Sequence, residues 1–236
     1  MVSVLPLTLR AASGRRRGQT VVGPVDLTIG AGGITCVIGP NGSGKTALLR
    51  LMHGLDRARG DIDWAVPTVQ ARGAQAYVFQ QPTVLRRSVA ANLAYPLRLR
   101  GVGRAEATDR ARAQAARFDL EALLDQSAPS LSGGEAQRLA LARALIAAPE
   151  IVFADEPCAA LDGRATRAIE TRLTEAAASG TTLVVATHDM GQARRIADRV
   201  IFLLHGRIHE DATADAFFAA PATPEARAFL RGDIVE

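Results

Sequence analysis

At 236 residues, 48% hydrophobic and 22% charged, the chain has the balance of an ordinary globular protein with one core, or with a core lobe and a smaller lobe. A net charge of +4 and a single short basic run, Arg15-Arg16-Arg17, argue against a nucleic-acid arm. No window approaches 18 uninterrupted apolar residues, and in MVSVLPLTLRAASGRRR the charges follow the apolar part, so neither a membrane span nor a secretory signal is predicted. Cys36 and Cys158 fit no metal spacing and read as small buried residues of a reducing compartment.

Residues 4–10 and 20–28 alternate apolar and polar and predict two antiparallel strands. GITCVIG (33–39) predicts a buried strand, and KTALLRLMH (45–53) a helix closed by Gly54. AQAYVFQ (74–80) predicts a strand. Residues 82 to about 146 are rich in Ala, Arg and Leu at helical spacing, with no convincing strand. After Pro149 come EIVFAD (150–155), a helix over 163–178, TTLVVAT (181–187), a helix near 190–198, and RVIFLLHG (199–206). HGRIHE (205–210) predicts a small hairpin before a helical tail. Strands alternating with helices at both ends predict an α/β chain with a mostly parallel core sheet and an antiparallel β part at the N-terminus. The expected organisation is one domain over 1–236, with a core lobe of 1–81 and 147–236 and a helical lobe of about 82–146.

Lys45 is the only lysine among 28 basic residues. It lies in GPNGSGKT, residues 39–46, whose Gly39, Gly44, Lys45 and Thr46 match G-x-x-x-x-G-K-[ST] between a strand and a helix. The run Gly39, Pro40, Asn41, Gly42, Ser43, Gly44 lets backbone N–H groups wrap phosphate oxygens, and the helix behind adds its dipole. The Lys45 ammonium is a compact charge for the β- and γ-phosphates, and the Thr46 hydroxyl is a ligand for Mg²⁺. A planar guanidinium on a longer stem fits such a ring of donors poorly, which explains why this lysine survives in an arginine-rich chain.

EIVFADEP is an apolar strand ending in Asp155 and Glu156. At the carboxyl edge of a parallel sheet, Asp155 is placed to hold the Mg²⁺ shell and Glu156 to polarise an attacking water. In LSGGEAQRLALARAL (131–145), Ser132, Gly133 and Gly134 open a helix and form a second anion site. Two γ-phosphate sites in separate parts of one chain cannot share one nucleotide unless two copies meet head to tail, with ATP between them.

These motifs, with AALD (159–162) and ATHD (186–189), occur in order over essentially the whole chain, which resembles the ATP-binding subunits of ABC transporters. The resemblance implies a P-loop NTPase fold, ATP and Mg²⁺ as cofactors, and hydrolysis coupled to transport. It makes Gln80 the Q-loop residue touching Mg²⁺ and water, places Asp162 at the partner copy, and sets His188 against the γ-phosphate and Glu156. It further implies a transmembrane permease, an extracytoplasmic solute-binding protein as indirect partner, and a peripheral place on the cytoplasmic membrane face. Coiled-coil insertions, zinc motifs and a second cassette, which mark the nucleic-acid branches of the family, are missing from the sequence.

The chain departs from the family pattern at three points. Glu135 stands where signatures often end in Gln, and Ala159 where a serine is common. No aromatic residue precedes the second strand to stack on adenine, and Arg16 falls at about that position, where a guanidinium can stack on a base or simply belong to a solvated turn. In PTVLRRSVAANLAYPLRLRG (82–101), Val84, Leu85, Val89 and Leu93 are expected at the surface, where the resemblance implies a groove for a permease helix. The C-terminal passage from 190 resembles oxyanion importers, tungstate-type above all, with molybdate, phosphate and amino-acid importers as neighbours.

Overall fold

The computed structural model describes residues 2–16, 18–159 and 161–233. Two sheets lie one on each side of a helix. The first is three-stranded and antiparallel in the order β2-β1-β4, from β1 (Leu7–Arg16), β2 (Gln19–Ile29) and β4 (Ala58–Trp64). The second is six-stranded, order β5-β6-β7-β3-β8-β9, from β3 (Ile34–Ile38), β5 (Gln75–Val78), β6 (Ile151–Asp155), β7 (Thr182–Thr187), β8 (Arg199–Leu204) and β9 (Arg207–Thr213). Strands β5, β6, β7, β3 and β8 run parallel, and β9 folds back antiparallel on β8.

The strands β3, β6 and β7 are buried at every position, as expected for a sheet covered on both faces. Helix α1 (Lys45–His53) fills the space between the sheets with Leu48, Leu49, Leu51 and Met52, all fully buried. It ends at Gly54, whose φ of 82° supplies the left-handed turn expected there. Helices α3 (Val89–Leu99), α4 (Arg104–Arg117) and α5 (Gly133–Leu145) form the predicted helical segment between β5 and β6. Helices α6 (Gly163–Ala178), α7 (Met190–Ile196), α8 (Ala214–Ala219) and α9 (Pro224–Arg231) complete the chain, together with α2 (Thr68–Gly73).

One expectation is corrected, and two elements are added. Strand β4 and helix α2 are further elements: β4 reads ARGDIDW, whose alternation carries only two large apolar residues, Ile62 and Trp64. Val89 and Leu93 are fully buried in the α3–α4–α5 packing, because α3 turns them away from solvent. Helix α3 also continues through Pro96, and the predicted tail is two short helices.

The strand order positions the site. The carboxyl ends of β3, β6 and β7 meet at one edge of the sheet, with β7 lying between β6 and β3. The loop after β3, the acidic pair at the end of β6 and the histidine after β7 therefore converge, although 109 residues separate Thr46 from Asp155.

Candidate functional site

The loop between β3 and α1 is held from both sides. The Gly206 amide donates to Ser43 O at 2.8 Å, and the Ser43 amide to Pro40 O at 3.2 Å. Gly39 sits at φ 152°, and a Cβ there would lie 2.1 Å from Leu203 O, so no other residue fits. Ser43 Oγ is buried with no hydrogen-bond partner among the described residues. An orphaned buried hydroxyl in a glycine-rich loop at a helix start fits a site that takes an anion.

Lys45 Nζ donates to Gly39 O (2.9 Å) and Pro40 O (3.1 Å) and lies 3.9 Å from Glu156 Oε1. Burial lowers its pKa, against the opposing pull of Glu156 and Asp155. Thr46 Oγ1 donates to Asp155 Oδ1 at 3.0 Å. Burial raises the Asp155 pKa, which the Thr46 hydrogen bond opposes. Two hard oxygen donors side by side suit Mg²⁺, which takes one or two protein ligands and completes its shell with water and phosphate. Among the described residues no cluster of three acidic or histidine groups forms a cage of its own.

Glu156 is buried and adopts φ 47°, a left-handed conformation that a non-glycine residue holds only under constraint. Its amide donates to Ala186 O at 2.9 Å, continuing the β6–β7 ladder. Its Oε2 is 2.8 Å from His188 Nδ1, and the His188 side chain is half-exposed. Glu156, His188, Lys45, Asp155 and Thr46 thus form one contiguous cluster.

Among the described residues, the other expected ones make no hydrogen bond to this cluster. Gln80 is exposed just past the end of β5. Ser132 is the N-cap of α5 and shares a capping box with Glu135: the Ser132 hydroxyl and amide both donate to Glu135 Oε2, at 2.7 and 2.8 Å. Those two bonds hold the Glu135 pKa below the usual carboxylate range. Gly133 opens the helix, and a Cβ on Gly134 would lie 3.6 Å from Leu161, just before α6. Asp162 caps α6 by accepting from the Ala165 amide at 2.7 Å. Arg16 is exposed at the tip of the β1–β2 hairpin, paired with Gln19. Arg17 and Ala160 lie outside the described residues.

Sequence reasoning missed Tyr77, whose hydroxyl donates to Asp155 Oδ2 at 3.4 Å, and Asn92 with Arg143, which bind the loop after Gln80. No local pattern marks either, because both depend on which elements pack together.

A glycine loop closing on a lysine at a helix start, beside an acidic pair and a histidine at neighbouring strand ends, defines a phosphate-loop nucleotide-binding protein. The ABC transporter family model matches residues 22–159, and the chain belongs to that family as one of its ATPases. The tungstate uptake system ATP-binding protein TupC of Peptoclostridium acidaminophilum is 40% identical over 204 residues, covering 85% of this chain and 94% of that protein. The L-cystine transport system ATP-binding protein TcyN of Escherichia coli (strain K12) is 37% identical, covering 90% and 92%. A solved dimeric ATP-binding cassette in a post-hydrolysis state, bound to ADP and Pi, matches with a TM-score of 0.79 at 28% identity, covering 88% of this chain and 98% of that one. Further relatives are named for phosphate, methionine and sulfate/thiosulfate import.

Proposed function

We propose that this chain is the ATP-hydrolysing subunit of an ABC importer. It forms one domain whose helical lobe (about 82–146) moves against its core lobe, and it works as a head-to-tail dimer docked on a permease at the cytoplasmic face of the membrane. The observation that carries this reading is the contact of His188 Nδ1 with Glu156 Oε2 at 2.8 Å, directly beside Lys45 and the Thr46–Asp155 pair.

In this reading the loop amides of 39–44 and Lys45 bind the phosphates, with Lys45 exchanging its bonds to Gly39 O and Pro40 O for phosphate oxygens. Thr46 and Asp155 would hold Mg²⁺, with Gln80 completing the site. The ion, when bound, neutralises charge on the transferred phosphoryl group. Glu156 accepts the proton of the attacking water, and His188 fixes the carboxylate's orientation. Ser132, Gly133, Gly134 and Glu135 offer the α5 N-terminus to the nucleotide of the partner copy, and Asp162 stands near that same boundary. No covalent intermediate with the protein is needed, since positioning and charge carry phosphoryl transfer.

Among the described residues no helix is long and apolar enough to cross a membrane, and in this reading a permease does the transport work. A groove of about 470 Å³ between β5 and the helices α3 and α5 suits such a partner, lined by Phe79, Val84, Leu85, Tyr95, Pro96 and Leu99. Leu99 is 70% exposed there, an apolar surface of the kind that receives a partner helix. For the cargo we favour an oxyanion such as tungstate, since a relative 40% identical over 85% of this chain is named for it; amino-acid and phosphate importers are the alternatives.

The test is reconstitution with a candidate permease and solute-binding protein from the same genome. ATP turnover should rise when the binding protein carries tungstate rather than phosphate or cystine. Stimulation by cystine alone would overturn the cargo, and turnover indifferent to the permease would overturn the transport role.

A further inference from the structure

We propose that Tyr77 is a positioning residue for the metal-holding carboxylate. Its hydroxyl pins Asp155 Oδ2, which leaves Oδ1, beside Thr46, aimed at the nucleotide. The inference rests on the nucleotide-site reading above and adds a residue to it.

The sheet register brings the two together. Tyr77 pairs with Phe153 and Val78 with Ala154 across β5 and β6. Alternation along β6 then puts Phe153 and Asp155 on one face of the sheet, the face that Tyr77 shares. That face is covered by α1, which carries Thr46 at its start and His53 at its end.

Each oxygen of Asp155 has its own hydroxyl donor. Thr46 Oγ1 donates to Oδ1 at 3.0 Å, and Tyr77 donates to Oδ2 at 3.4 Å. One donor leaves a carboxylate free to rotate, whereas two donors on opposite oxygens fix its plane. The phenol itself has little freedom. The His53 ring meets it edge-on with centroids 5.4 Å apart, and the Phe79 ring lies 4.6 Å away. A phenol carries its proton at neutral pH, so the hydroxyl can donate to the carboxylate oxygen.

Ordinary core packing would also explain a half-buried tyrosine. The two accounts diverge on what the hydroxyl does, because Tyr77→Phe keeps the ring and removes only the oxygen. We would measure ATP binding calorimetrically in the full chain carrying Glu156→Gln, once in EDTA and once with Mg²⁺, with and without Tyr77→Phe. The expected result is unchanged affinity in EDTA and a threefold to tenfold loss with Mg²⁺. Equal affinities with Mg²⁺ would overturn the proposal, and so would an equal loss in both conditions, which would make Tyr77 a support of the loop as a whole. Tyr77→Met, which also lacks the hydroxyl, must show the same metal-specific loss; its failure to do so overturns the proposal even where Tyr77→Phe unfolds. Asp155→Asn separates this from the underlying reading. If Asp155→Asn leaves Mg²⁺-dependent binding intact, it is the metal site that fails.

Discussion

Glu156 and His188 touch at 2.8 Å, and the carboxylate is buried while the imidazole is half-exposed. With an ionised carboxylate as acceptor, Nδ1 carries the proton and Nε2 is left for a second partner. The pair joins a constrained backbone position after β6 to the loop after β7 through one hydrogen bond.

Glu156→Gln keeps the shape of this pair and removes the base. Turnover should fall by about two orders of magnitude or more, while ATP still binds. With ATP and Mg²⁺ the variant should elute as a dimer in sizing chromatography. A strictly monomeric variant at high protein concentration would count against the head-to-tail sandwich.

Lys45→Arg tests the lone lysine. Nζ sits between Gly39 O and Pro40 O in a space that burial has largely dried. A guanidinium keeps the charge and lacks the room. ATPase activity of the purified variant should be lost, and near wild-type turnover would show that the composition argument was wrong.

Asn92 is fully buried on α3 and holds the loop after Gln80 through its amide. It accepts from the Leu85 amide at 2.8 Å and donates to Leu85 O (3.1 Å) and Ser88 O (3.0 Å). Arg143 of α5 donates both to Asn92 Oδ1 and to Thr83 O. Asn92→Ala leaves several buried groups unpaired and should cost about 2–3 kcal/mol in urea unfolding. Hydrogen exchange should show the Leu85 amide losing protection. A protected Leu85 amide in the variant would mean that the loop is held by something else.

How much of this was legible in the sequence follows from how local each feature is. The strands β3, β6 and β7 are short apolar runs, and the loop, acidic pair and histidine sit at their ends, so pattern and motif were enough. Strand β4 exposes most of its residues, and its alternation is short, with Ile62 and Trp64 alone packing on the core beside the pairing with β1. Val89 and Leu93 looked exposed because Arg86 and Arg87 precede them, yet the Ser88 cap starts a helix that turns both inward. The bond of Tyr77 to Asp155 exists only because β5 lies beside β6.

The imidazole of His53 is packed edge-on against Tyr77 and Phe153, and its Nδ1 is buried without a partner among the described residues. Burial lowers its pKa from 6.5 to about 4. The folded state therefore holds His53 neutral while the unfolded chain protonates it. This contribution is fully present above pH 6.5 and is lost as the pH falls toward 4. In His53→Phe that part of the acid sensitivity should vanish, on the order of 1–2 kcal/mol after allowing for partial exposure. Parallel pH–stability curves for the two proteins would remove His53 from the account.

Arg16 concerns what holds the base. The backbone of β2 approaches the phosphate loop closely: a Cβ on Gly44 would lie 2.8 Å from Val21 O. Val21, two residues past Gln19, thus lies near the start of α1, while Arg16 is exposed at the hairpin tip. The Asp56 carboxylate, held below its ordinary pKa mainly by the bidentate bond from Arg50, also feels the charge of Arg16. If the guanidinium stacks on adenine, Arg16→Ala should weaken ATP binding and Arg16→Tyr should restore it. Stacking contributes about 1–3 kcal/mol per base in single-strand binders, and at a wet, exposed tip the low end applies, about tenfold in affinity. Titrations with ATP, GTP and inorganic triphosphate at fixed salt separate stacking from charge. Equal weakening for ATP and triphosphate in Arg16→Ala would make Arg16 part of a positive rim, and no change at all would leave it a solvated turn residue.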